Sequence, residues 1–357
     1  MNLWACTEAD TILNGIKNPD WWDMIKACRF KGFFVIAFDV SRNIDLSAIA
    51  KVKHILDEEG YEMIGCGIPL GHPEGLDTPC YTFHDGWHIR KDINGETVRW
   101  CNAITPQLIS DVRNYVCELR ELGIRKIFWD DDLRQGNCEG DIQGCFCDEC
   151  VNEFAEKNSA VLPAEFNREI LRAVIKRVPV GLSSEQLKLR ELWTQFNCER
   201  VTRFMRETTV DGVQNGIMVM HNGDRRHGID IAEIRKAVPD CMFRVGEGMF
   251  DDYWFNSPEN RHSLAESVLR HMKLMGDVSR IYSESTVFPH GALTPENLRR
   301  KIIIERKCGL ENINLMGLER MNSEHYYYML RDNYDYFEAV EKELTLDNID
   351  SFDFVNI

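Results

Sequence analysis

The sequence predicts an α/β chain of the (β/α)8 TIM-barrel class, and three observations predict it. Short, near-continuous apolar runs alternate with amphipathic helical stretches along most of the 357 residues. These runs lack the in-out alternation of a half-exposed sheet, so they call for a parallel sheet covered on both faces. Eight such runs can be counted, and eight strand–helix units close into a barrel. An open doubly wound sheet is the alternative, but no glycine-rich dinucleotide turn follows the first strands.

NLWAC at the start supplies the first strand. FFVIAF from Phe33 is the second, followed by a helix with Leu46, Ile49, Val52, Ile55 and Leu56 on one face. EMIGCGIPL is the third strand. A polar and aromatic stretch over 70–104, with Tyr81, Trp87 and Trp100, is too long for a plain connection and reads as a functional loop. Thr105 and Pro106 then open a helix that Gly123 stops. IRKIFW is the fourth strand and runs into Asp130, Asp131 and Asp132.

Residues 150–208 read as a helical excursion with a break near 179–181. GIMVMH, CMFRVGEG, SRIYSES and ENINLMG complete the strands, with helices over 259–275 and 295–308 between them. A Tyr-rich helix over about 324–343 closes the chain. No tandem repeat or linker interrupts the pattern, so residues 1–357 read as one barrel domain.

Apolar residues make up 44% of the chain, enough for a sizeable core. Forty-two basic residues against 58 acidic ones leave a net charge of −16, a field that repels nucleic acid and anionic membranes. No apolar run is long enough to span a bilayer, and no secretory leader is visible. Thirteen scattered cysteines fit a reducing compartment, so the chain reads as soluble and cytoplasmic.

In a barrel, polar residues at the C-terminal ends of the strands form the site. Those residues here are Asp39, Asp130 to Asp132, His221, Asn222, Glu247, Glu284, Glu319 and Arg320. Some would instead form salt bridges with Arg42, Arg134, Arg244 or Arg320. Paired carboxylates suit general acid–base or glycosidic chemistry, in which one holds a proton and the other stays ionised. Asp130 and Asp132 are also suitable oxygen ligands for magnesium. If the strand continues, those two share one face and Asp131 takes the other.

GCFCDEC places Cys145, Cys147 and Cys150 within six positions. With a fourth thiol, from Cys101 or Cys138, they match a tetrahedral structural zinc site.

These motifs, in this order, resemble the catalytic barrel of the glycoside hydrolase family 42 β-galactosidases. The resemblance covers about residues 30–320: Cys101, then a strand ending in three acids, then C-x-C-x2-C, and later SRIYSES. It implies that Cys101 is the fourth zinc ligand. It implies that Glu284 is the nucleophile and Asp132 the acid/base residue of a retaining glycosidase acting on a β-linked glycoside such as a galactoside. Asp131 stands where the family has an Asn that contacts the sugar, and Asp132 where it has a Glu.

An Asp is one methylene shorter, which widens the 5–5.5 Å carboxyl separation of a retaining pair toward the 6.5–9.5 Å of an inverting one. Trp87, Trp254 and Tyr282 are expected sugar platforms. Asp39, Arg42, His221, Asn222, Glu247 and His290 are expected hydroxyl contacts. The family's subunits help close one another's sites, which implies a homo-oligomer, although its trimerisation and β-domains have no counterpart here. The competing reading is a non-catalytic carbohydrate-binding or assembly protein on a degenerate barrel.

Overall fold

The computed structural model describes residues 1–40, 43–71, 86–130, 133, 144–176, 180–219, 223, 225–246 and 248–357, with Trp100 described in its backbone only. The strands in chain order are β1 (Asn2–Thr7), β2 (Gly32–Asp39), β3 (Glu62–Ile68), β4 (Ile89–Lys91), β5 (Thr97–Asn102), β6 (Lys126–Trp129), β7 (Gln214–Val219), β8 (Met242–Val245), β9 (Ile281–Tyr282) and β10 (Asn312–Leu315). Eight of them close a barrel in the order β1-β10-β9-β8-β7-β6-β3-β2. Every pairing in it is parallel, and β1 locks the ring by pairing both β10 and β2. The predicted fold class is the observed one.

Local signals explain the helices between the strands. Thr105 caps the helix Pro106–Glu121 by accepting from the Leu108 N–H at 3.1 Å. Thr294 does the same for Pro295–Cys308, which ends on Gly309 in the left-handed conformation. The Tyr-rich helix is shorter than expected and spans Glu324–Ala339. Arg306 donates to the carbonyls of Phe337 and Val340 there, satisfying the last turn while the chain extends away.

The expected loop over 70–104 contains the β4–β5 hairpin, tied to the end of β3 by Asn102 N–H on Leu70 O at 2.7 Å. The helical excursion is built from Asp148–Lys157, Arg168–Ile175 and Ser184–Glu207. It has a small core of its own around Phe146, Phe154, Trp193 and Phe196.

Inside the barrel, Trp4, Phe34, Phe128 and Tyr282 meet edge to face, with ring centroids 5.3–5.9 Å apart. Gly216 makes room for this plug, since a Cβ there would lie 2.5 Å from the Phe128 ring. The plug is the floor on which the mouth is built.

Candidate active site

Alternation carries the inward face of each strand up to the mouth. On β6, Phe128 faces inward, so Asp130 two residues on does too. On β8, Arg244 follows Met242 inward, and on β9 Glu284 follows Tyr282. These three polar residues meet just above the aromatic plug. Arg244 is 1% exposed and forms an ion pair with Asp130, with Nη2 lying 3.7 Å from Glu284 Oε1. Its guanidinium carbon lies 5.5 Å from the Phe128 ring centre, between the sulfurs of Met218 and Met316. One buried guanidinium thus faces two buried carboxylates.

The Leu133 N–H donates to Asp130 O at 3.2 Å. Strand alternation accounts for the inward orientation of Asp130. Asp130 pairs with Arg244, and Asp132, the other expected magnesium ligand, lies outside the described residues.

Asp39 reaches the interior by a different route. Phe33, Val35 and Ala37 face the surrounding helices, and strict alternation would send Asp39 the same way. A register shift between Ile36 and Phe38 intervenes. Phe38 packs outward on Tyr115, with ring centroids 4.9 Å apart, and the next residue, Asp39, turns inward and is buried. The Tyr115 hydroxyl donates to Ala37 O at 2.6 Å and so holds the bulge.

Glu284 is fixed by the neighbouring strand β10 and by the helix Pro295–Cys308. The flanking Ser283 and Ser285 N–H groups bond the carbonyls of Asn312 and Asn314, each at 2.9 Å. Ser285 Oγ donates to the Glu305 carboxylate at 2.8 Å, and Lys301 Nζ donates to Glu284 O at 3.0 Å. Sequence reading missed Lys301 and Glu305. Their signal was present: Asn297, Lys301 and Glu305 recur every four residues on a face that also buries Leu298, Ile302 and Cys308.

The remaining expected contacts divide. Trp254 is 54% exposed on a short helix in the β8 loop, and His290 is exposed in the β9 loop. Those two loops are joined by Phe288 N–H on Phe250 O and Asp252 N–H on Ala292 O. Tyr282 and Trp87 offer no ring face to a sugar, which corrects that expectation: Tyr282 belongs to the barrel plug, and Trp87 is buried with its indole N–H on Asp111 at 2.8 Å. Glu319 instead braces β1, accepting from Thr7, Glu8 and Thr11. Arg42, Asp131, Asp132, Cys138, His221, Asn222 and Glu247 lie outside the described residues.

The thiols of Cys145, Cys147 and Cys150 come together with all sulfurs within 4.8 Å of one another, a group that could hold a metal ion. Gly144, at φ 145°, aims this loop, since a Cβ there would meet the Asn197 amide at 2.7 Å. Cys147 stands at the N-cap of the helix Asp148–Lys157, and its hydrogen bond to Cys145 pushes its own thiol up. The Cys147 and Cys150 thiols hydrogen-bond Cys145 and hold it well below its ordinary range. Arg200 adds a buried cation, with Nη1 2.7 Å from Cys150 Sγ and Nη2 on Ile104 O. Sulfur-only donors suit zinc. Cys101 is not part of this group. It packs in the layer between barrel and helices, with its thiol 3.5 Å from Asn102 O, so the implied four-thiol set is three among the described residues.

Among solved structures, the chain is similar to the PgaB (BpsB) glycoside hydrolase domain of Bordetella bronchiseptica. The identity is 14%, covering 97% of this chain and 99% of that one, with a TM-score of 0.55. It is also similar to a β-galactosidase of Rahnella sp. R3, at 12% identity over 95% of this chain and a TM-score of 0.62. The match takes in 56% of that enzyme's chain. What the chain shares with these enzymes is the fold, a closed barrel of eight parallel strands. No family model and no curated protein matches the sequence. Among the described residues, no helix is long and apolar enough to cross a membrane.

Proposed function

We propose that the protein is a retaining glycoside hydrolase acting on a β-linked glycoside such as a galactoside. The observation that carries this reading is the inward Glu284 carboxylate at the C-terminal end of β9, within reach of the Arg244 cation and pinned through its main chain. An ionised carboxylate at the mouth suits nucleophilic attack on an anomeric carbon, giving a glycosyl ester as the leaving oxygen departs. Asp132 protonates that oxygen and later deprotonates the water that cleaves the ester. Asp39, Arg42, Asp131, His221, Asn222, Glu247 and His290 bind sugar hydroxyls, and Trp254 offers a stacking face. The thiol group holds zinc, with Cys145, Cys147 and Cys150 as ligands, and the metal stabilises the fold without taking part in the reaction.

A panel of nitrophenyl glycosides tests this reading on the wild type, Glu284→Ala and Asp132→Ala. Loss of the acid/base residue should lower kcat by about 10²–10⁴-fold. Wild-type activity that survives both substitutions would sink the assignment. Binding of a sugar without hydrolysis by the wild type would favour a carbohydrate-binding protein instead.

A further inference from the structure

The β8 and β9 loops share one buried cation. Lys301 is 0% exposed, on the helix Pro295–Cys308 that packs outside the barrel. Its Nζ donates to Gly248 O at 2.8 Å and to Glu284 O at 3.0 Å, and lies 5.2 Å from the centre of the Phe250 ring. We infer that Lys301 is a positioning residue, a clamp that sets the height of Glu284 against the neighbouring β8 loop at the mouth. This rests on the reading of Glu284 as the nucleophile.

Three observations support the clamp. A buried ammonium needs acceptors, and these two are main-chain carbonyls from different loops, so its charge reports on their separation. The β8 loop needs holding where it is gripped: Gly248 at φ 71° and Met249 at φ 56° are consecutive left-handed residues, and methionine rarely adopts that conformation unless its surroundings impose it. The same helix also grips the β9 loop one turn on. There Glu305, again 0% exposed, accepts from Ser285 Oγ, which in turn lies 2.8 Å from Ser283 Oγ. Ser283 Oγ accepts the Asn314 N–H at 2.9 Å. Both neighbours of Glu284 are therefore anchored through their side chains while Lys301 anchors Glu284 through its carbonyl. The Glu284 side chain is left to face the mouth. Lys301 would act on the reaction through backbone position, with no contact to substrate.

The test compares wild type, Lys301→Met, Lys301→Gln and Lys301→Arg by amide hydrogen exchange and steady-state kinetics. Lys301→Met keeps the length and removes the donors, and Lys301→Gln serves if the methionine variant does not fold. Exchange should rise about tenfold or more in residues 248–250 and 283–286, while β1 and β3 stay as protected as in the wild type. On a glycoside that the wild type hydrolyses, kcat should fall by roughly 10²-fold with KM little changed, and Lys301→Arg should recover part of both effects. Unchanged exchange in both segments, or an equal rise throughout the barrel, overturns the clamp. If the wild type hydrolyses no glycoside, the reading of Glu284 fails, and exchange alone decides whether Lys301 holds the two loops.

Discussion

Nη2 of Arg244 lies 3.7 Å from Oε1 of Glu284, and the same nitrogen is bonded to Asp130. One buried cation thus serves two buried carboxylates. Removing it leaves two like charges in a space closed below by aromatic rings. Arg244→Met should therefore cost about 3–5 kcal/mol of stability, read from urea unfolding at neutral pH. Adding Glu284→Gln to that variant should restore part of the loss, because the two positions are coupled. Strictly additive effects would show that the guanidinium and Glu284 do not interact.

The Tyr115 hydroxyl holds the bulge that turns Asp39 inward. Tyr115→Phe leaves the Ala37 carbonyl without this donor and should cost about 0.5–1.5 kcal/mol. If Asp39 binds a sugar hydroxyl, the same variant should raise KM more than it lowers kcat, because the loss falls on binding. Thermal unfolding and glycoside kinetics measure the two effects.

The thiol group predicts a metal-dependent fold. Metal analysis should find about one zinc per chain, and Cys147→Ser should lower that content. A strong chelator should reduce the Tm of the wild type. It should have a smaller effect on the variant, which has less metal to lose.

Glu62 begins β3 at the opposite end of the barrel, between Lys126 at 2.8 Å and Lys31 at 3.0 Å. Partial burial works against its charge, but the two ammonium groups outweigh it and hold the carboxyl below its ordinary value of 4.5. A folded value below the unfolded one means that the stabilisation is full above that pH and is lost as pH falls through the folded value. Glu62→Gln should lower Tm at neutral pH and have no effect in strong acid. A Tm difference independent of pH would contradict the ion-pair account.

The sequence by itself determined the barrel, most helix ends and the thiol motif. Each of these rests on neighbours in the chain: apolar runs for strands, Thr-Pro starts and Gly stops for helices, and three cysteines in six positions. It also brought Glu284 to a strand end. Only the tertiary structure decided which residues those elements bring together. A one-residue bulge, invisible to period-2 counting, turned Asp39 inward. Closure of the ring brought Arg244 of β8 against Asp130 and Glu284, and sent Tyr282 into the plug with Trp4 and Phe34. Arg200 meets Cys150 through the packing of the long helix, a contact that spacing along the chain does not encode, while Cys101 falls outside the group of three thiols. The periods of strand and helix are local properties of the backbone. The partners of a buried charge are set by strands far apart in the chain that meet when the barrel closes.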